Sequence, residues 1–279
     1  MKKIILLTIV TILFVSPFVA ATTMTTSSKI QSQKSLLNTN LEFTHTVFVE
    51  EATTTWCPNC PSAAEALYAL YNNSEYPFYF VAFVSDVNSI SQDRNWGHYR
   101  AKAIPTIFID GGFSHYVGSG STPLQTEQIY RPLIEEARTR TVHPLELETS
   151  VVGHEDATLD LTVTVKNIGS KPYLGYVRSY VTEIISRWNN QQKDPYHFGF
   201  LDYAIDSMVF LAPQNSRTFT MTWDGSANHG SLTYPDIVDD NIMVITAVAR
   251  WMPHLVLKEE YVGTHFAYYV DQTDGVFVE

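Results

Sequence analysis

Cysteine is nearly missing from this chain: two among 279 residues, at positions 57 and 60. So few exclude a scaffold stapled by disulfides, and a link across two intervening residues closes too small a loop to stabilise much by chain entropy. Basic residues are also short, 18 Lys and Arg against 29 Asp and Glu, for a formal charge of −11. That balance excludes nucleic acid and anionic membrane surfaces as natural partners. Past residue 21 no run is apolar enough to span a bilayer. The nine histidines are scattered and none forms a His-x-x-x-His pair, so neither a metal site nor a cofactor is expected. The two halves share no repeat. Apolar residues, by contrast, are plentiful at 45%, with 13% aromatic, enough to build one or two cores unaided.

What is present begins with a leader. Lys2 and Lys3 precede an apolar run from Ile4 to Ala20, and the small pair Ala20–Ala21 follows. This pattern predicts a secretory signal over residues 1–21, cut after Ala21. An uncleaved N-terminal anchor is the rival reading, since the run approaches the ~20 residues of a membrane span. Either way the bulk of the chain is expected outside the cytoplasm: secreted, periplasmic or at the cell surface. Residues 22–42, rich in Ser, Thr, Gln and Asn, read as a flexible linker.

From Thr44 the pattern becomes that of a folded chain. Val47–Val49 predicts a strand ending in Glu50 and Glu51, with Glu50 a solvated strand-end carboxylate. A helical spacing of Ala63, Ala64, Leu67, Leu70 and Tyr71 follows, then a strand buried on both faces at Pro77–Val84 and a helix around Gln92–Tyr99. A third strand at Ala103–Asp110, a fourth near Tyr116–Val117 and a helix opened by Thr122 complete a β-α-β-α-β-β-α order. Pro132 is expected to kink or restart that last helix. Beyond His143 the period changes to two. Seven strands are predicted at Leu145–Val152, Ala157–Lys166, Leu174–Ile185, Met208–Leu211, Arg217–Trp223, Ile242–Trp251 and Val256–Val262, which suggests an antiparallel sandwich. The connection Arg187–Ile205 is long and aromatic, and reads as a functional loop or lid with Tyr196, His197, Phe198, Phe200 and Tyr203 available for contact.

The stretch Trp56-Cys57-Pro58-Asn59-Cys60, between the first strand and first helix, resembles the redox motif of the thioredoxin-like superfamily. Ile104-Pro105-Thr106 stands where that family keeps its cis-proline, Glu51 where it holds a buried acid, and Trp56 at the aromatic position before the first cysteine. "VEEATTTWCPNCP", followed by an alanine-rich helix and an all-β second half, is similar to exported thioredoxin-like proteins related to a Bacteroidetes outer-membrane protein. Here Thr54–Thr55 replaces the Thr-Gly often found there. "LTVTVKNIGS" equally resembles immunoglobulin-like modules of prokaryotic surface proteins.

The resemblance implies an α/β thioredoxin-like domain at residues 43–141 followed by an immunoglobulin-like all-β sandwich at 142–279. It further implies a Cys57–Cys60 disulfide in the oxidised state. Cys57 would be the exposed nucleophile at a helix N-terminus, where unpaired amides favour the thiolate, with Pro58 as first-turn proline. Cys60 would be the buried resolving thiol, and Glu51 its proton carrier. Pro105 would offer its neighbour's backbone to substrate, so Ile104 and Trp56 are the expected contacts. The implied activity is thiol–disulfide exchange, in either direction, on protein thiols or disulfides, with a membrane or extracytoplasmic redox partner. Two other readings stay open: a surface binding protein whose Cys57–Cys60 disulfide is inert, and a metal chaperone, which lacks a third ligand. Trp96 and His98, ahead of the proline loop, are candidates to line the site, though an amphipathic helix face explains them better. Asn72 opens an Asn-Asn-Ser sequon.

Overall fold

A computed structural model describes residues 43–73 and 77–278. The expected signal (1–21) and linker (22–42), and Ser74 of the sequon, lie outside them. Thirteen strands are formed: β1 Val47–Thr53, β2 Phe78–Val84, β3 Thr106–Ile109, β4 Ser114–Val117, β5 Leu145–Gly153, β6 Thr158–Asn167, β7 Tyr173–Asn189, β8 Pro195–Leu211, β9 Ser216–Asp224, β10 Ile242–Arg250, β11 His254–Val256, β12 His265–Ala267 and β13 Val270–Phe277. The α-helices are α1 Cys60–Asn72, the single turn α2 Ser89–Gln92, which continues as a π-helix at Asp93–His98, and α3 Pro123–Ala137. Thr122 caps α3 by accepting the Gln125 amide, and the helix runs on through Pro132 rather than stopping there.

These elements correct the expected fold class. The chain is mostly β, without a separate α/β thioredoxin-like core or a detached sandwich. One mixed sheet of eight strands, in the order β13-β10-β7-β8-β2-β1-β3-β4, takes four strands from each half of the sequence. β1 runs parallel to β2 and antiparallel to β3. The halves meet where β2 and β8 lie parallel, in register at Ala82 and Gly199. A Cβ on Gly199 would fall 2.3 Å from Ser186 Oγ, so only glycine fits at this junction. From Phe43 onward the chain forms one compact unit, undivided at residues 141–142. The core shows the same continuity: Phe48 of β1, Phe80 of β2, Ile134 of α3, Phe200 of β8 and Ile245 of β10 belong to one buried cluster. Each such side chain contributes roughly 1.5–3 kcal/mol by leaving water. Against the second-half strands packs a three-stranded sheet, β5-β6-β9. Leu159, Leu161 and Trp223 meet Val181, Leu201 and Val244, and Val163 and Val165 meet Val177, Val209 and Val248.

The expected lid at Arg187–Ile205 is mostly strand. β7 and β8, 17 residues each, pair antiparallel, and only the turn at 190–194 separates them. Register shifts at Ser179/Tyr180 and Val181/Thr182, with Phe198 at φ 51°, break the two-residue alternation, which is why the segment looked aperiodic. Tyr196, Phe198 and Phe200 are buried rather than available for contact. The predicted strand at Val256–Val262 is irregular after Val256, and β13 went unanticipated because its buried positions include Asp271 and Thr273.

Candidate functional site

Central position explains the character of β1. All seven of its residues are buried, including the two adjacent glutamates. Side chains alternate across a strand, so the pair diverges. Glu50 is not the solvated carboxylate expected: Arg94 Nε donates to its Oε1 at 2.7 Å and Arg94 Nη2 to its Oε2 at 3.0 Å. The Tyr99 hydroxyl donates to the same Oε2. Glu51 faces the other way, toward Tyr130 of α3 and Tyr196 of β8. Neither Glu51 oxygen has a hydrogen-bond partner. Burial alone pushes its carboxyl up to about 8, so near neutral pH it holds a proton.

Six residues further on, Cys57 and Cys60 are joined in a disulfide, with Cα atoms 5.4 Å apart. The helix begins at Cys60, so Pro61 rather than Pro58 occupies the first turn. Cys57 precedes it, and its sulfur accepts the Cys60 amide at 3.1 Å. A first-turn N–H is thereby aimed at the sulfur that would carry negative charge as a thiolate. Cys57 is not exposed as expected. Its accessibility is 1% and that of Cys60 is 0%, while Trp56 between the strand and the disulfide is 58% exposed.

The Ile104–Pro105 peptide bond is cis. The Pro105 carbonyl accepts the Gly118 amide at 2.7 Å, which ties the proline loop to the end of β4. Ile104 and Trp56 line one shallow groove of about 220 Å³ together with Trp96 and the backbone of Ala101–Ala103. Trp96 therefore lines the same groove as Trp56 and Ile104, and an amphipathic helix face does not account for it. Sequence reasoning also missed Tyr196. Its hydroxyl donates to the Thr54 carbonyl and pairs with Thr53 Oγ1, both at 2.8 Å, bracing the strand end that leads into the cysteines. Thr55 is held in turn by Asp86 through both its amide and its hydroxyl. An aromatic spacing around Gly199 was visible in the sequence; a contact between residues 54 and 196 was not.

Among the described residues no group of three or more His, Cys, Asp or Glu side chains is arranged to hold a metal ion. No helix among them is long and apolar enough to cross a membrane.

No family model matches the chain, and no curated protein matches it. Among solved structures it is similar to HBP35 of Porphyromonas gingivalis, a Bacteroidetes protein, at a TM-score of 0.58 and 13% identity, over 85% of this chain and 76% of that one. At this identity the likeness shows a shared fold, and it extends across both halves of the sequence. The CARDB domain of a Pyrococcus furiosus protein (TM-score 0.27, 18% identity, 50% of this chain and 90% of that one) is also similar in part. So is a β-glucosidase from Listeria innocua (TM-score 0.27, 16% identity, 47% and 17%). Similarity at that level carries no argument.

Proposed function

We propose that this protein is an extracytoplasmic thiol–disulfide oxidoreductase that exchanges the Cys57–Cys60 disulfide with protein thiols or disulfides. The observation that carries the reading is Glu51: a carboxyl with no partner, kept protonated near neutral pH, on the strand that runs into the disulfide. A group poised near ambient pH is suited to proton transfer. In the reducing direction the Cys57 thiolate attacks a substrate disulfide, forming a mixed disulfide and expelling one substrate thiolate. In molecules where Glu51 has released its proton to solvent, a minority at neutral pH, its carboxylate takes the Cys60 proton as Cys60 attacks Cys57 Sγ. The second substrate thiolate leaves, two electrons have passed to substrate, and the Cys57–Cys60 bond is remade. The oxidising direction is the reverse. A membrane or extracytoplasmic redox partner restores the starting state. Trp56, Trp96 and Ile104 line the groove that supplies apolar contact for an extended substrate. Support for the location comes from the predicted signal at residues 1–21 and the Bacteroidetes neighbour.

The burial of Cys57 and Cys60 favours a second reading, a surface binding protein with an inert disulfide. Equilibration in glutathione buffers separates the two. An exchanging pair has a potential between about −270 and −120 mV, whereas a structural one falls below about −300 mV. A value in the lower range, with Cys57 refractory to alkylation after forced reduction, would refute the enzyme reading.

A further inference from the structure

A second cavity lies on the sheet face carrying Glu50 and Arg94, apart from the cysteines. It has a volume of about 260 Å³, and its walls are Arg94, His98, Tyr176, Arg178, Tyr180 and Tyr268, with Ala247 and Ala249 as floor and Asp206 at the mouth. Four elements build it. β7 contributes Tyr176, Arg178 and Tyr180 from alternate positions, the π-helix contributes Arg94 and His98, and β10 and the approach to β13 close it.

Its polar groups are short of acceptors. Arg178 Nη2 donates to both carboxylate oxygens of Asp206, at 3.1 Å each, directly across the β7–β8 register. Arg178 Nε is buried and makes no hydrogen bond. Arg94 spends its Nε and Nη2 hydrogens on Glu50 and Tyr99. The hydroxyls of Tyr176, Tyr180 and Tyr268 and the His98 ring make no hydrogen bond among the described residues. Burial, then the charges of Arg94 and Arg178, hold His98 down to about 2, so the imidazole is a neutral flat wall near pH 7. It lies nearly parallel to the Tyr268 ring, with Tyr176 edge-on to that ring. Buried donors normally have partners. Arg178 Nε, buried and unpartnered in the wall of a concave, aromatic-lined space beside the unbonded Tyr180 hydroxyl, marks a ligand site by what is missing.

We propose that this cavity binds a small carboxylate with a flat apolar body. The carboxylate accepts from Arg178 Nε–H and the Tyr180 hydroxyl, and the body rests against Tyr176, Tyr268 and the two alanines. An anion is favoured because the only carboxylate lining the cavity, Asp206, lies at the solvent-exposed mouth and is already paired, whereas the free groups inside are donors. The volume lies just under the roughly 300–1,000 Å³ of pockets for drug-sized ligands, so the ligand is smaller than those. The proposal does not depend on thiol chemistry.

Calorimetric titration of the full chain with phenylacetate and with its neutral counterpart phenylacetamide tests it. Phenylacetate is expected to bind with Kd of about 1 mM or tighter, and the amide at least about tenfold more weakly, since it forfeits the charge-assisted bond. Arg178→Gln should weaken phenylacetate at least about tenfold, and Tyr180→Phe by a smaller factor. Met221→Gln, exposed on β9 of the three-stranded sheet, should bind as the parent does. Absence of binding at roughly millimolar phenylacetate, equal affinity for acid and amide, or undiminished binding in both cavity variants would overturn the proposal. If Arg178→Gln lowers the melting temperature, Tyr180→Phe and the acid–amide comparison on the unaltered protein still decide.

Discussion

Replacing Glu51 with Gln should change how stability depends on pH, by an amount that follows from its surroundings. The carboxyl titrates near 4.5 when unfolded and near 8 when folded. Between those values the native state holds a proton that the unfolded state has released. Stability therefore falls as pH rises from about 4.5 toward about 8, at up to about 1.4 kcal/mol per pH unit. Between about pH 5 and about pH 7 the loss amounts to about 2.5 kcal/mol, or roughly 5–10 °C in melting temperature for a unit of this size. His98 acts in the opposite sense. Its folded value is depressed to about 2, so its contribution is lost as pH falls below about 6.5, and in the unaltered protein the two trends largely hide each other. Comparing the proteins removes that masking, because His98 titrates alike in both. Urea denaturation of oxidised protein and the Glu51→Gln variant, at about pH 5 and about pH 7, is the measurement. The variant should gain about 2.5 kcal/mol relative to the parent on going to the higher pH. Its constant offset, from burying an unpaired amide, cancels in that difference. A difference under about 0.5 kcal/mol would show that the native carboxyl is not held protonated, and Glu51 would lose its case as a proton carrier.

Arg94→Met should destabilise the protein by about 3–5 kcal/mol in the same denaturation assay, because Glu50 would be left buried without its counter-charge; a loss below about 1 kcal/mol would contradict the geometry. Cys60→Ser should accumulate Cys57-linked mixed disulfides with thiol-containing substrates on non-reducing gels, whereas Cys57→Ser should form none. Tyr196→Phe should cost about 1–2 kcal/mol for the lost bonds to Thr53 and Thr54 and also change the rate of Cys57 alkylation in reduced protein. A change in stability alone would make Tyr196 purely structural. A fragment of residues 43–141 should show no cooperative unfolding transition by circular dichroism, since the β2 edge and the Phe80–Phe200 core need the second half; a sharp transition would restore the independent-domain reading.

Local structure in this chain was largely legible from local pattern. The continuous apolar run at 78–84 and the helical alanine spacing at 63–71 gave β2 and α1, and Thr122–Pro123 marked the start of α3. The cysteine pair, Glu51 and Pro105 were located as site residues by motif, and the structure finds the disulfide, the unpaired carboxyl and the cis bond there. What periodicity could not convey was how strands from distant positions share a sheet. β2 meets β8 at Gly199, beside Phe198 in its positive-φ conformation, and both look like loop signals when read alone. Glu50 was misjudged for a similar reason, since its partner Arg94 sits 44 positions away. Trp96 was misplaced because a π-helix turns its side chains out of the 3.6-residue register by which its face was judged.

The junction at Gly199 also dictates an order of events during synthesis. A chain emerging from its N-terminus presents Cys57 and Cys60 well before β8 exists to pair with β2 or to bring Tyr196 against Thr53 and Thr54. Through that interval the cysteine segment hangs on an unfinished sheet, and long-range pairing of this kind is slow to form. The sulfurs are then open to oxidants from every side, without the packing that covers both in the completed protein. Nascent chains stalled before residue 195 should thus acquire the disulfide faster than reduced full-length protein does. The final strand of the junction works as a closing door, and the redox state in which the pair begins its working life depends on what the chain meets beforehand.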